Sequence, residues 1–379
     1  MSRIRTALLL MLASAAAPAA AQPAPAPAAA PAPTPIPDVA VTPAEARKTA
    51  IDLAQMLQES YAFPDVAARY AAMLRANAGS GAYDGLTSGK ALAEKLTAHL
   101  RTVSPDNHLR VRVRPPEAPP RPGASAEAGP IRRMVPLTPI EEQRWLAPGI
   151  AYIRFNVFPG DAETVAAVRK FMADHLEAKT IIFDNRTHHG GGLAEMDAMF
   201  PYLFARPTTL VTMDTRASVD RARGSPLGDA KLRLVPVKED VVRREHYVEP
   251  NPSEKRLFGA KVFVLTSGAT ASAAEHMTLA LKRTHRATIV GAATAGAGNY
   301  GGQETIGDKF VVFIPVGRTF DPDTGKGWEG SGIEPDVAVP ADKALAEALV
   351  RSGLSAADAD RISAEVKPTG PMVRRTPRT

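Results

Sequence analysis

Apolar residues follow two different spacings along this chain. Between residues 43 and 101 they recur at helical intervals, as in residues 51–57, which predicts amphipathic helices. Thr42 before Pro43 supplies an N-cap residue and a proline at the first helical position. Short breaks near Pro64 and at residues 79–85 favour a small antiparallel helical bundle. We therefore predict an N-terminal helical module over residues 43–113, in which residues 108–113 alternate like a strand.

From Gly149 onward, short apolar runs alternate with helical patterns. The predicted strands are residues 150–155, 180–184, 261–266, 287–292 and 310–315, and the main predicted helices are residues 162–177 and 272–284. This alternation predicts an α/β fold, a mixed, largely parallel sheet with flanking helices. The α/β domain is expected to span residues 149–345. A short helix and a basic, disordered tail are expected over residues 346–379.

The segments before and between these regions resemble processing and linker sequences. Two early arginines, an apolar run at residues 7–13 and Ala19-Ala20-Ala21 before Gln22 are typical of a secretory signal peptide. The run is far shorter than the roughly 20 residues that span a membrane. We therefore expect cleavage after Ala21 and a periplasmic or secreted protein. The Ala/Pro-rich residues 22–42 and the Pro-rich residues 114–148 are predicted to be linkers.

Composition and charge exclude several functions. The 379 residues include no cysteine, so a disulfide, a thiolate nucleophile and a cysteine-ligated metal are ruled out. The net charge of +6 equals the number of basic residues in the first 21 and last 13 positions, where no acidic residue occurs: Arg3, Arg5, Lys367, Arg374, Arg375 and Arg378. The rest of the chain is neutral overall, which argues against a nucleic-acid partner.

Residues 262–302 contain the strongest candidates for catalytic residues. A buried strand leads through a Gly/Thr/Ser turn into a helix that begins near Ser272. A helix N-terminus offers free N–H groups and a positive dipole end, which favour serine attack if a base is present. Ser272 could instead be a simple N-cap. His276, four residues later on the same helix face, is one possible base, or it packs locally.

Two other motifs favour neither a metal nor a nucleotide. His188 and His189 come before a glycine run at the end of a predicted strand, where the backbone can approach a ligand closely. No third metal ligand has a suitable spacing, and HExxH is absent, so we expect no metal. The GxGxxG pattern at residues 296–301 would have to open a helix to bind a dinucleotide. A strand pattern follows it instead, at residues 303–315, and we expect no cofactor.

Taken together, the motifs resemble the S41 family of serine peptidases. This family includes the tail-specific (C-terminal processing) proteases, the tricorn core protease and interphotoreceptor retinoid-binding protein. The resemblance is carried by FDNRTHHGGG, TASAAEHM, TAGAGN and DPDTGKGWEGSGIEPDVAV in the family's order, and by YAFP and SPDNHL of the helical module. It implies a ClpP/crotonase-like peptidase core. The segment between His108 and Gly149 is too short for the PDZ domain of the processing proteases, so we expect none.

The resemblance also implies roles for individual residues. Ser272 matches the nucleophile. The processing proteases pair this serine with a lysine at the position where Ala297 stands, so a Ser–Lys dyad is not expected. The tricorn-like branch uses a histidine base and a late glutamate, which match His108 and Glu329. Asn107 replaces a serine that takes part in the tricorn relay.

The same resemblance implies an oxyanion hole. The family's Asp-Leu-Arg-x-Asn-x-Gly-Gly segment reads Asp-Asn-Arg-Thr-His-His-Gly-Gly at residues 184–191. The N–H groups of Gly190 or Gly191 and of Ala273 would hold the oxyanion. His188 replaces the family's asparagine, where it either contacts substrate or packs locally.

The predicted function is therefore that of an exported serine peptidase that cleaves peptides or unfolded protein ends. The alternative is a non-catalytic binder of an apolar ligand on the same fold. His108 precedes Ser272 by 164 residues (272 − 108), so the site should form only when the helical module docks on the α/β domain. The chain from Gly149 onward is expected to have a core of its own.

Overall fold

The computed structural model describes residues 37–115, 137–227, 231–238 and 240–373. The predicted signal peptide and most of both predicted linkers lie outside these residues. The helices are α1 (Pro43–Ser60), α2 (Pro64–Gly79), α3 (Gly89–Val103), α4 (Ala162–Asp174), α5 (Ala194–Met199), α6 (Ala217–Arg223), α7 (Ala273–Arg283), α8 (Ala344–Arg351) and α9 (Ala356–Glu365). The strands are β1 (Arg110–Val113), β2 (Ile140–Ala147), β3 (Ile150–Phe155), β4 (Thr180–Asp184), β5 (Thr208–Arg216), β6 (Leu232–Val235), β7 (Val241–Val248), β8 (Lys261–Thr266), β9 (Thr288–Gly291), β10 (Asn299–Ile306), β11 (Phe310–Phe320) and β12 (Val337–Ala338).

The predicted mixed α/β sheet is confirmed. Its strand order is β12-β9-β8-β4-β3-β2, with β2 antiparallel to β3 and the other neighbours parallel. Successive side chains of a strand point to opposite faces. One face packs on α4, α5 and α7, and the other packs on α8 and α9. Because β4 and β8 are parallel neighbours, the loops that follow them meet at one edge of the sheet, where ligands bind in such folds.

A second sheet, entirely antiparallel, was not predicted. Its order is β1-β11-β5-β7-β6, and β10 pairs with β11. The hairpin of β10 and β11 explains why the glycines at residues 296–301 lead into a strand. β7 contains charged residues that form ion pairs with β5 and α6: Arg243 with Asp214 at 2.6 Å and Arg244 with Asp220 at 2.6 Å. These charges hide the alternation that would have marked a strand.

The predicted helical module is present and is held by local signals and packing. The Glu45 carboxylate accepts the Thr42 N–H at 2.8 Å, and the Thr42 side chain accepts the Glu45 N–H at 3.3 Å, which is a capping box at the start of α1. Apolar faces of α1, α2 and α3 then pack on β11 through Phe310, Val312 and Ile314. The module and the antiparallel sheet therefore share one hydrophobic core.

This shared core affects a chain that starts at Gly149, which we expected to have a core of its own. Such a chain would lose β1 from the antiparallel sheet and β2 from the mixed sheet. It would also expose the apolar face of β11 that α1–α3 cover. At about 25 cal/mol per Å² of apolar area, exposing this face would destabilise the α/β domain. The clusters on the two faces of the mixed sheet contain buried residues from position 150 onward only. That sheet therefore keeps a core of its own, and it is the antiparallel sheet that depends on the module.

Two predicted linker or tail segments contain regular structure. Residues 140–147, assigned to the second linker, form β2, and α9 follows α8 in the segment expected to hold one short helix. The chain after α9 is hydrogen bonded: the Val366 carbonyl accepts from Arg154 at 2.5 Å, and the Thr369 N–H donates to Glu141 at 3.0 Å. Residues 374–379 of the predicted tail lie outside the described residues.

Candidate active site

Ser272 lies on a sharp turn between β8 and α7. Its backbone has φ 56° and ψ −118°, a positive-φ conformation that costs a non-glycine residue on the order of 1–3 kcal/mol. The nucleophilic serine of α/β-hydrolases is held on a similarly strained turn from strand to helix. The GxSxG motif of those enzymes is absent here, so the turn was visible only in the structure.

Glu275 holds this strained turn in place. Its buried carboxylate accepts the N–H of Ser272 at 2.9 Å, of Gly296 at 2.6 Å and of Ala297 at 2.8 Å, as well as the Thr294 hydroxyl at 2.6 Å. Burial raises the pKa of Glu275, and these donors oppose that rise. No role was predicted for Glu275 from the sequence. An acid three residues after an N-cap position was the available signal for its structural role.

The glycine run after β4 packs directly against Ser272. Gly190 and Gly191 have φ 104° and 133°. A Cβ atom on Gly190 would lie 2.7 Å from the Cβ of Ser272, and one on Gly191 would overlap the carbonyl of Phe158. Only glycine fits both the backbone conformation and the space. The structure therefore brings the predicted oxyanion loop beside the predicted nucleophile.

The buried side chain of His188 holds the glycine loop in place. Its ring is fully buried and packs edge-on against Phe158 at 4.2 Å between centroids. Burial lowers the pKa of His188 to about 3, so the ring is neutral, and its Nδ1 accepts the Gly190 N–H at 3.0 Å. Of the two predicted glycine donors, the N–H of Gly190 is therefore already occupied. The Ala273 N–H lies in the first turn of α7, where a helix has no internal acceptor for it.

His108 lies in the turn that leads into β1. The Asp106 carboxylate accepts the N–H of His108 at 2.9 Å and of Leu109 at 3.1 Å, which fixes the turn. The imidazole stacks on Phe313 of β11, with 5.0 Å between ring centroids. His108 is thus positioned by the helical module on one side and by the antiparallel sheet on the other.

Glu329 approaches this turn from the far end of the chain. Its carboxylate accepts the N–H of Asn107 at 2.7 Å, of Gly298 at 2.6 Å and of Asn299 at 2.9 Å. Asn107 also donates through its side chain to the carbonyl of Gly296. Residue 107, which departs from the tricorn pattern, therefore joins the module to the loop between β9 and β10.

Asp106, His108 and Glu329 form one polar cluster. One side-chain nitrogen or oxygen of each lies within 4.8 Å of the other two. Burial, followed by the nearby Asp106 charge, raises the pKa of Glu329 to about 7, and its backbone donors oppose the rise. Such donors could ligate a metal, but both carboxylates already accept backbone N–H bonds, which favours a hydrogen-bonded cluster. No role was predicted for Asp106, although it lies two residues before His108.

A cavity of about 380 Å³ brings four of the six predicted site residues together, without Gly190 and Glu329. Its lining includes Ser272, Ala273, Gly191 and His108. Much of the remaining wall is apolar or aromatic: Leu193, Met213, Leu227, Tyr300, Phe313 and Trp328. A larger groove of about 1050 Å³ lies around the end of α7 and the start of β8. None of the predicted site residues lines that groove, so the smaller cavity is the candidate active site.

Sequence models of known families match most of the chain. The model described as peptidase family S41 matches residues 149–339. The chain belongs to peptidase family S41. A second model, described as the N-terminal domain of Peptidase_S41 in eukaryotic IRBP, matches residues 39–147 of this S41 chain. Membership in this family supports a serine peptidase, as the motifs implied.

Solved structures include several proteases similar to this S41 peptidase. A putative peptidase from Parabacteroides merdae has a TM-score of 0.53 and 17% identity over 82% of this chain and 97% of that chain. The photosystem II D1 C-terminal processing protease has a TM-score of 0.47 and 15% identity over 78% and 93%. Mature CPAF complexed with lactacystin has a TM-score of 0.40 and 15% identity over 57% and 51%, so this chain spans about half the length of CPAF.

His276, the alternative base, also lines the cavity of this S41 peptidase. Its Nε2 lies 2.7 Å from Nδ1 of His246 on β7, and Nε2 of His246 lies 3.0 Å from a carboxylate oxygen of Asp197 on α5. His276 thus belongs to a polar chain separate from the cluster of Asp106, His108 and Glu329. No motif pointed to His246 or Asp197, because their proximity depends on the unpredicted antiparallel sheet.

Proposed function

We propose that this S41 peptidase is exported and hydrolyses peptide bonds of peptides or unfolded protein ends, with Ser272 as nucleophile and His108 as base. One observation carries the proposal. Ser272 and His108 line the same cavity although 164 residues (272 − 108) separate them. Glu329 belongs to the polar cluster around His108, which supports a role for its carboxylate in the relay.

In the proposed mechanism, the Ser272 hydroxyl attacks the scissile carbonyl while His108 takes its proton. Acid–base transfer of this kind contributes typically about 10²–10⁴-fold. Glu329 stabilises the imidazolium that forms, as a triad acid does. His108 then returns the proton to the leaving amine, and water hydrolyses the acyl-enzyme by the same steps.

The oxyanion of the tetrahedral intermediate requires preorganised donors. We assign this role to the N–H groups of Gly191 and Ala273. Gly190 packs against Ser272 and gives its own N–H to His188, so we propose that it supports the loop and does not donate to substrate. This assignment narrows the pair of glycines that the family resemblance implied.

The serine assignment can be tested by labelling with a fluorophosphonate. We expect the wild-type protein to be labelled at Ser272 and Ser272→Ala to remain unlabelled, because only an activated serine reacts. Ser253→Ala, which removes an exposed serine, is the matched control and should label like wild type. If the folded wild-type protein is not labelled, the peptidase proposal fails. The alternative, a non-catalytic binder of an apolar ligand in the largely apolar cavity, would then be favoured.

Export rests on the first 21 residues, which lie outside the described part of the chain. Among the described residues, no helix combines the length and apolar character needed to cross a bilayer. We propose that cleavage after Ala21 leaves Gln22 as the mature N-terminus. Intact-mass measurement on protein from the native host tests this. Recovery of the uncleaved chain in a membrane fraction would contradict it.

A further inference from the structure

A buried chain of three polar side chains runs from the surface to the candidate active-site cavity. Asp197 is on α5, His246 on β7 and His276 on α7, one turn after Ser272. Nε2 of His246 lies 3.0 Å from Asp197, and Nδ1 of His246 lies 2.7 Å from Nε2 of His276. His246 is fully buried, His276 is 3% exposed and the Asp197 side chain is 14% exposed. The proposed chemistry uses none of the three.

The Asp197 end of this chain sets the direction of its hydrogen bonds. An ionised carboxylate only accepts, and Asp197 accepts the N–H of Lys231 at 3.0 Å on one oxygen and His246 on the other. His246 must therefore carry its proton on Nε2. In the arrangement that we infer, His246 has one donor and one acceptor, so its Nδ1 accepts from Nε2–H of His276.

It follows that Nδ1 of His276 carries no proton. Burial lowers the pKa of His276 well below its usual value, so the ring is neutral near pH 7. Among the described residues, this nitrogen forms no hydrogen bond, and it is not fully buried. Since His276 lines the cavity beside Ser272, its free acceptor is available to a molecule bound there.

We propose that His276 is a specificity-determining residue that selects a substrate side chain with a hydrogen-bond donor, such as an ammonium or hydroxyl group. Asp197 acts through His246 as a positioning residue that keeps the cavity nitrogen an acceptor. The inference rests on the proposed peptidase function, because it concerns substrate in the same cavity. A donor that meets this nitrogen, compared with an apolar group that leaves it unpaired, should change kcat/KM roughly 10- to 100-fold.

Asp197→Asn should reverse this preference. The Lys231 N–H should hold the amide oxygen on its own side and leave the amide NH2 facing His246. His246 would then accept on Nε2 and donate from Nδ1, which moves the His276 proton to Nδ1. A single remote substitution would thus convert the cavity acceptor into a donor, as a wrong tautomer does in a serine-protease triad.

The test uses one peptide scaffold with three unbranched side chains placed in turn at each position around the cleaved bond. Lysine can only donate, methionine sulfoxide can only accept, and norleucine can do neither. For the wild-type enzyme we expect one position at which lysine exceeds the other two roughly 10-fold or more. In Asp197→Asn we expect methionine sulfoxide to exceed lysine at that position, with norleucine as the internal reference.

A second readout does not depend on turnover. Nitrogen-15 spectra of histidine-labelled Ser272→Ala protein should show an unprotonated Nδ1 at His276, and adding Asp197→Asn should protonate it. Two results would overturn the inference: a wild-type enzyme that prefers lysine at no position, or an Asp197→Asn enzyme that loses kcat/KM equally on all three side chains. Failure of fluorophosphonate labelling would instead contradict the peptidase proposal, so the two failures are distinguishable.

Discussion

The two halves of the candidate site come from differently built parts of the molecule. Ser272 and the oxyanion loop follow β8 and β4, adjacent strands of the mixed sheet whose pairing aligns Asp184 with Leu265. His108 and Glu329 lie where the helical module meets the antiparallel sheet, and the hydrogen bond from Asn107 to Glu329 joins residues 222 positions apart. One half is a property of two neighbouring turns, whereas the other exists only after long-range assembly.

This difference indicates which changes should separate fold from activity. The nucleophile turn is held by Glu275 within a single core and should resist changes elsewhere. The base and the acid depend on the contact between the module and β11, so weakening that contact should reduce activity more than it changes the mixed sheet.

Replacing the nucleophile should have the largest effect. We expect Ser272→Ala to lower kcat/KM by roughly 10⁴–10⁶-fold while leaving the free energy of unfolding almost unchanged, because the turn is held by the Glu275 carboxylate and not by the hydroxyl. Peptide hydrolysis and denaturant unfolding measure the two quantities. Turnover comparable to wild type would refute the assignment of Ser272.

Replacing the base should have the next largest effect. We expect His108→Ala to lower kcat by about 10²–10⁴-fold. His276→Ala should act mainly through substrate preference, because His276 belongs to the separate chain with His246. Both variants are measured on one donor-bearing and one apolar peptide. If His276→Ala abolishes turnover on both peptides while His108→Ala keeps near-normal kcat, the base lies on the helix of Ser272. The assignment of the base to the helical module would then be wrong.

Gly190→Ala should displace Ser272 and so lower kcat/KM. Its Cβ would lie 2.7 Å from that of Ser272, at φ 104°. Relieving this overlap would move Ser272 by about 1 Å, and a misplacement of that size at a reacting group costs about 100-fold in rate. The side chain at a positive φ also costs on the order of 1–3 kcal/mol of stability. Gly302→Ala is the matched control, since a Cβ there meets no atom within 4 Å among the described residues. Equal losses in both variants would argue against the packing explanation.

The pH dependence tests the assembled half. Serine attack requires neutral His108, and we expect the relay to require ionised Glu329, whose pKa is raised to about 7. Both conditions predict that kcat/KM rises with pH, and the ionisation of Glu329 alone gives about tenfold between pH 6 and 8. Glu329→Gln should be less active and should show only the histidine step. A kcat/KM that falls with pH over this range would contradict both assignments.

The same raised pKa has an opposite consequence for stability. Glu329 binds its proton more tightly in the folded than in the unfolded chain, so its contribution is present below about pH 4.5 and is lost as the pH rises through about 7. Because the unfolded state binds fewer protons there, the free energy of unfolding should fall across this window. Glu329→Gln should remove that part of the fall, as urea unfolding at several pH values would show.

Removing a helix cap should have the smallest effect. Thr42→Ala breaks the capping box of α1 and should cost about 1 kcal/mol of stability with little change in kcat/KM at 25 °C. Ser355→Ala removes the comparable cap of α9, which packs on the mixed sheet. Just below the thermal midpoint, Thr42→Ala should lose more activity than Ser355→Ala, because only α1 belongs to the module that holds His108. Equal losses would mean that the module does not open separately.

Sequence reasoning succeeded where structure is determined locally. β8 has the predicted bounds of residues 261–266, and α7 begins at Ala273, one residue after the predicted start at Ser272. The antiparallel sheet was missed because strands such as β7 pair polar or charged residues across long sequence separations. Asp106 and His246 were missed for the same reason. His108 and Glu329 came from the family resemblance, since no local spacing relates residues so far apart.

The positive φ of Ser272 has a consequence for how this chain can change over time. The fold itself would be more stable with glycine at position 272, by roughly 1 kcal/mol or more, since glycine adopts this conformation without strain. Selection for turnover therefore keeps serine at position 272, although glycine would give a more stable fold. In a library selected only for folding, Ser272→Gly should accumulate. In a descendant that is no longer selected for peptidase activity, we expect position 272 to be among the first to change.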